Sequence, residues 1–199
     1  MVDYGIGNLR SAEKALQHLG ADARLTTNGS EIEQADAVVL PGVGNFGACM
    51  DALRESGLEG VTGAAARDGR PFMGICVGMQ MLFDSSDESP GVPGLGVVPG
   101  RITRLPDKVR LPQMGWNTLA VRSDSRLAAG LPDPAWCYFV HSYAPEPDDD
   151  GVVAAWCDYG RRFAAAMERG PLWATQFHPE KSGAVGLAML GNFVAAAAA

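Results

Sequence analysis

The segment Gly74-Ile75-Cys76-Val77-Gly78-Met79-Gln80 places one cysteine between two glycines, where two apolar runs meet. Arg70 to Ile75 reads as a short apolar run opened by a proline, and Val77 to Phe83 as the start of an apolar helix. A chain that passes from strand to helix through a single residue must turn sharply there. The flanking glycines relieve the crowding such a turn creates, as in the serine elbow G-x-S-x-G, of which this is the thiol counterpart. The pattern therefore demands a strand end on one side and a helix N-terminus on the other. The helix dipole and its free N–H groups would face the sulfur and favour the thiolate. The competing reading is a plain core cysteine, because free cysteine is among the most buried residue types.

The rest of the first half agrees with a strand–turn–helix rhythm. Met1 to Tyr4 is short for a buried strand of five or six residues, and the natural chain is expected to begin a few residues earlier. Gly5-Ile6-Gly7 turns the chain, and Asn8 to Leu19 carries Leu9, Ala12, Leu16 and Leu19 at helical spacing before Gly20. A dinucleotide loop is disfavoured because position 10 is Arg where G-x-G-x-x-G has its third glycine. Ala21 to Thr26 suggests a second strand, and Ser30-x-x-Glu33 a capping box opening a short helix. Asp36 to Leu40 is the continuous apolar run of a strand covered on both faces. A glycine-rich loop, Pro41 to Gly47, and a helix through Ala48 to Leu53 lead on to the elbow strand. This alternation predicts an α/β fold with a mostly parallel central sheet flanked by helices.

Beyond the elbow the character changes. Pro90 to Gly100 is rich in Gly and Pro, and short β-type runs follow at 102–105, 118–121, 136–140, 152–157, 162–167 and 172–177. They predict an antiparallel β extension in the C-terminal half, with Glu146 to Asp150 as a solvated turn. Gly183 to the end reads as a closing helix whose terminal alanines carry no chemistry. No repeat or linker interrupts the chain, and residues 1–199 are read as one domain.

Composition narrows the partners. With 199 residues and 47% hydrophobic content the chain can bury a sizeable core. A net charge of -7 argues against nucleic acid or an anionic membrane, since both demand clustered Lys and Arg. No run of 18 apolar residues and no basic-then-apolar leader is present, so a cytoplasmic location is expected. Cys49, Cys76, Cys137 and Cys157 form no C-x-x-C pair, and His18, His141 and His178 lack ligand spacing. No metal, cofactor or disulfide framework is expected.

A nucleophilic thiolate needs a base and an orienter, and Gln176-Phe-His178-Pro-Glu180-Lys181-Ser182 supplies both. His178 follows an apolar run and so falls at a strand end, where the catalytic loops of an α/β sheet gather. Glu180 lies two residues on, on the same side in extended backbone, where a carboxylate fixes the imidazole tautomer and stabilises its protonated form. His141, the rival base, has no carboxylate near it in sequence until Glu146, and Tyr138 to Tyr143 reads more simply as a strand with an aromatic face. His18 reads as solvated. Acyl transfer also needs oxyanion donors. One is the Val77 N–H directly after the nucleophile, and the second is expected from Gly42-Val43-Gly44, at Val43.

Six segments together resemble the class I glutamine amidotransferases, and among them the glutaminase subunits of imidazole glycerol phosphate synthase. They are Asp3 to Arg10, Pro41 to Gly47, Gly74 to Gln80, Met114 to Asn117, Tyr138 to Tyr143 and Gln176 to Ser182. The elbow and His-Pro-Glu segments are general to the amidotransferases; the Gly-Asn-Leu-Arg, Met-Gly-Trp-Asn and Tyr-Phe-Val-His-Ser-Tyr segments point to the histidine pathway. The resemblance implies a flavodoxin-like fold and hydrolysis of L-glutamine through a Cys76 thioester, with Cys76, His178 and Glu180 as the triad. It further implies that Gly44, Gln80, His141, Ser142 and Tyr143 hold glutamine. Ammonia would pass to a partner cyclase, a (β/α)₈ barrel that makes imidazole glycerol phosphate and an aminoimidazole carboxamide ribotide, with Asn8, Trp116 and Lys181 facing it. The alternatives are the glutaminase subunit of another amidotransferase, a thiol γ-glutamyl hydrolase or peptidase on the same scaffold, and a non-catalytic regulatory subunit.

Overall fold

The computed structural model describes residues 1–7 and 9–198. In chain order the helices and strands are α1 (Leu9–His18), α2 (Gly29–Gln34), β1 (Val38–Gly42), α3 (Phe46–Glu55), α4 (Glu59–Ala65), β2 (Phe72–Cys76) and α5 (Val77–Gln80). The second half follows as β3 (Ser85–Ser86), β4 (Gly100–Arg104), β5 (Gln113–Val121), β6 (Ala135–His141), β7 (Tyr143–Pro147), β8 (Val153–Tyr159), β9 (Arg161–Arg169), β10 (Leu172–Thr175) and α6 (Gly183–Ala197). Single 3₁₀ turns occupy Asp150–Val152 and Pro179–Lys181.

Seven strands form one sheet in the order β1-β2-β10-β9-β8-β5-β6, and β3-β4-β7 form a smaller one. β2 is flanked in parallel by β1 and β10, and all three are buried along their whole length, as continuous apolar runs require. From β10 onward the pairings are antiparallel, which is the expected C-terminal extension. The helices pack in two groups, α1 with α6, and α2 and α3 with α4. Where the extension meets the parallel strands, Phe139 packs edge to face on Phe163 and Phe177.

Several local expectations are corrected. The two strands expected before β1 reduce to a single bridge, Val2 with Thr26, tied to the sheet by the Val2 N–H on the Val39 carbonyl at 2.9 Å. Gly5 and Gly7, with φ of 86° and 135°, turn the chain away before a longer pairing can form. The cap of α2 is Asn28, two residues before Ser30: its extended backbone lets its side chain accept the Ser30 N–H at 3.0 Å. Two helices rather than one join β1 to β2, because Gly57, at φ 74°, stops α3 and allows α4 to start. The helix after the elbow ends at Gln80, and Met81 to Phe83 are buried in turns. Tyr138 to Tyr143 is broken at Ser142, which sends β6 and β7 to different sheets. Glu146 lies within β7, opposite Arg101, and not in a free turn.

Candidate active site

Cys76 ends β2 and caps α5 at φ 56° and ψ -114°, and among the described residues it alone has a positive φ without being glycine. Such backbone costs about 1–3 kcal/mol and persists only where the surroundings over-determine it. Here they do. Gly42 of β1 pairs with Cys76 on one side and Thr175 of β10 with Ile75 on the other. Beyond the turn, Gly78 lies so close to β1 that a Cβ on it would sit 1.9 Å from the Leu40 carbonyl oxygen. The two elbow glycines are therefore requirements of backbone packing.

His178 follows β10, and the turn after it is 3₁₀ at Pro179–Lys181 rather than extended. The tighter turn still brings the pair together, with His178 Nδ1 2.8 Å from Glu180 Oε1 and both side chains buried. Nδ1 donates to the carboxylate, which leaves Nε2 for Cys76. The backbone here is anchored: the His178 N–H donates to the Tyr138 carbonyl at 3.1 Å, and the Ser182 hydroxyl donates to the His178 carbonyl at 2.7 Å. Burial pulls the proton affinity of His178 down, but hydrogen bonds and charge at Cys76 and Glu180 outweigh it and push the imidazole up to about 9. At neutral pH the His178 imidazole is protonated. Burial keeps the other three cysteines as thiols, with Cys137 and Cys157 pushed up to about 12 and Cys49 upward.

His141 takes a different part. Its Nδ1 lies 2.8 Å from the Tyr143 carbonyl, and burial pulls it down to about 4, so it is neutral and without a carboxylate partner. Of the two candidate bases, only His178 is oriented by a carboxylate and charged. His18 is exposed, as expected.

One cleft of about 210 Å³ gathers most of the sequence-derived set. It is lined by Val43, Gly44, Cys76, Val77, Gln80, His141, Ser142, Tyr143, His178 and Lys181, with Val140 and Glu88 in addition. Glu180 stands behind His178. Trp116 lies outside the cleft and is 53% exposed. Asn8 lies outside the described residues. Gln80 Nε2 donates to the Tyr143 carbonyl at 3.1 Å and to Gln176 Oε1 at 2.9 Å. Gln176 Nε2 in turn reaches Cys76 Sγ at 3.9 Å.

Two residues here carry no role in the sequence reading. Gln176 stands two before His178, and that spacing is the signal that could find it. Glu88 accepts the Phe46 N–H at 2.7 Å where α3 begins, a contact with a segment distant in sequence, and it lines the cleft. In the sequence it is one acid in a polar stretch, with no local sign of a site. Among the described residues no cluster of three or more His, Cys, Asp or Glu is arranged to hold a metal, and no helix is long and apolar enough to cross a membrane.

The charge state of His178 gives a measurable consequence. The alkaline limb of acyl transfer at Cys76 is expected near pH 9, where the imidazole loses the proton a leaving amine needs. Glu180→Gln removes one of the interactions that raise His178, so the limb is expected to move to lower pH in a kcat/KM profile. An unmoved limb would remove Glu180 from this role. The same shift affects stability. His178 rises from an ordinary 6.5 to about 9 on folding, so its stabilising contribution is complete below about pH 6.5 and lost as pH climbs through about 9.

Comparison with known proteins agrees with this geometry. Residues 1–197 match the family Glutamine amidotransferase class-I. The imidazole glycerol phosphate synthase subunit HisH of Deinococcus radiodurans is 50% identical over 97% of this chain and 91% of its own length. The protein of the same name from Methanothermobacter thermautotrophicus is 50% identical over 98% and 96%. Among solved structures, a glutamine amidotransferase superposes with a TM-score of 0.77 at 24% identity, covering 100% of this chain and 98% of that one. The glutaminase domain of CTPS from Trypanosoma brucei gives 0.55 at 18% identity, covering 95% and 87%. With a sharp thiol elbow, a carboxylate-oriented imidazole and full-length relatives at half identity, the chain belongs to the class-I glutamine amidotransferases, in the group of imidazole glycerol phosphate synthase HisH subunits.

Proposed function

We propose that this chain, acting as one amidotransferase domain over residues 1–199, hydrolyses L-glutamine to glutamate and ammonia and delivers the ammonia to a cyclase subunit in histidine biosynthesis. The observation that carries the reading is the imidazole of His178, charged at neutral pH and held between Glu180 and the strained Cys76. The Cys76 thiolate attacks the side-chain carbonyl carbon of glutamine and forms a C–S bond. The resulting oxyanion is received by the backbone N–H groups of Val77 and Val43, each such donor being worth on the order of 10²–10³ in turnover. His178 gives its proton to the amide nitrogen as the C–N bond breaks, and ammonia leaves. The neutral imidazole then takes a proton from water, the hydroxide attacks the thioester carbonyl, and the C–S bond breaks to return glutamate and the thiolate.

Gly44, Gln80, His141, Ser142 and Tyr143 shape the glutamine pocket. Gln80 and His141 both bond the Tyr143 carbonyl and so fix the strand break at Ser142. Glu88 supplies the negative charge for the α-ammonium of glutamine. Neutralising it in Glu88→Gln is expected to raise KM by about tenfold with a smaller change in kcat, since a hydrogen bond to a charged group is worth about 1.5–3 kcal/mol. A kcat loss at constant KM would place Glu88 elsewhere in the mechanism.

The partner surface adjoins the cleft. On the outer face of the β5–β6 hairpin Met114 pairs with Val140, Trp116 with Tyr138 and Thr118 with Trp136. Met114, Trp116 and Trp136 are exposed, while Val140 reaches into the cleft beside Lys181. An exposed apolar patch bordering the point of ammonia release supports docking of a cyclase of (β/α)₈-barrel type there. We place this work in the cytoplasm and assign no metal or cofactor to it. The test is glutamate release from the isolated chain, from the chain with its cyclase, and from that complex with the cyclase's nucleotide substrate. Release in none of these, or preferential cleavage of γ-glutamyl peptides, would sink the reading.

A further inference from the structure

Behind the cleft, two buried side chains hold the loop that carries the second oxyanion donor. Tyr4, at the end of the first chain segment, is 5% exposed, and its hydroxyl donates to the Pro41 carbonyl at 2.8 Å. Cys49, on α3 and fully buried, donates its thiol to the Val43 carbonyl at 3.3 Å. The two side chains also touch each other, and a Cβ on Gly42 would fall 2.9 Å from the Tyr4 hydroxyl and 2.7 Å from the Gly78 nitrogen. Tyr4, the Gly42 backbone and the elbow are thus stacked without slack.

The consequence follows from peptide planarity. A trans peptide points its C=O and N–H in opposite directions, so fixing a carbonyl fixes the N–H of the next residue. Tyr4 fixes the Pro41–Gly42 peptide and Cys49 the Val43–Gly44 peptide. Between them lies the Gly42–Val43 peptide, whose N–H belongs to Val43. Glycine at 42 leaves that peptide free to rotate unless its two neighbours are held. We propose that Tyr4 and Cys49 are positioning residues that clamp the peptides on either side of Gly42–Val43 and so set the aim of the Val43 N–H at the oxyanion. The inference rests on the reading of Val43 as a donor in glutamine hydrolysis. Burial pushes both the Tyr4 phenol and the Cys49 thiol up, so each keeps the hydrogen it donates.

The test compares two reactions of Cys76 in the complex with its cyclase. Glutamine hydrolysis passes through an oxyanion, whereas alkylation by iodoacetamide, followed on the Cys76 peptide by mass spectrometry, needs only the thiolate. Tyr4→Phe and Cys49→Ala are each expected to lower kcat for glutamine by about tenfold or more, short of the roughly 10²–10³ of losing a donor outright. KM and alkylation should stay near wild type, and Cys49→Ser, which keeps a donor, should recover much of the loss. Should Tyr4→Phe fail to melt cooperatively, the Cys49 pair decides. Unchanged kcat, a rise in KM in place of the kcat loss, alkylation falling in parallel, or no recovery in Cys49→Ser would each overturn the clamp. A wild-type complex that released no glutamate would remove the functional reading and the clamp with it.

Discussion

Cys76→Ala is expected to lower glutamine hydrolysis by about 10⁴-fold or more, as removal of a covalent nucleophile does when its partners act as a unit. Alanine leaves the imidazole of His178, the Glu180 carboxylate and the backbone donors in place, but no atom remains to form the thioester. The fold should survive, because the strain at position 76 is imposed by backbone packing of Gly42, Gly78 and Leu40 and not by the thiol. The decisive control lies in the partner reaction. The complex with Cys76→Ala should make imidazole glycerol phosphate at the wild-type rate when ammonium salt replaces glutamine, since the cyclase consumes ammonia whatever its source. Two measurements therefore separate a lost nucleophile from a lost complex. Glutamate release within tenfold of wild type would end the thioester mechanism. Loss of the ammonia-driven reaction as well would move Cys76 into the structural scaffold.

The parts of this molecule legible from sequence are those whose physics is local. A glycine-flanked cysteine between two apolar runs can only be a tight turn, and the elbow stands where the run 70–75 ends. A carboxylate two residues from an imidazole meets it in extended or 3₁₀ backbone alike, so the His178–Glu180 pair does not depend on the form of the turn. Ser30 reads as a cap because Asn28 offers the same chemistry two residues earlier, and only the backbone angles choose between them. The break at Ser142 leaves no mark within Tyr138 to Tyr143, which reads as one strand, because β6 and β7 part only through their pairing, β6 with β5 and β7 with β4. Tyr4 and Glu88 act through contacts 37 and 42 residues away, and Cys49 acts back across a loop. No spacing rule reports such contacts. Resemblance across six whole segments supplies the substrate, which local physics alone does not.

Gly78→Ala is expected to be severely damaging, and by a route unlike that of Cys76→Ala. The added methyl carbon would lie 1.9 Å from the Leu40 carbonyl oxygen and 2.8 Å from its carbon, both backbone atoms of β1, the first strand of the seven-stranded sheet. No rotamer change relieves a contact with backbone. Either β1 moves, breaking its parallel pairing with β2 from Val38 to Gly42, or α5 lifts away and carries the Val77 N–H with it. Overpacking a core costs typically about 1–3 kcal/mol and more where nothing flexible yields, so a loss above about 3 kcal/mol is expected in denaturant unfolding. Glutamine turnover and iodoacetamide labelling of Cys76 should fall together, because the elbow itself is displaced. Gly60→Ala is the matched control. It lies in α4 with nothing within 4 Å of its added carbon, and there the same methyl should stabilise by about 0.5–1 kcal/mol through helix propensity. If Gly78→Ala unfolded at the wild-type midpoint, the close approach of elbow and β1 would not be what holds Cys76 in its strained turn.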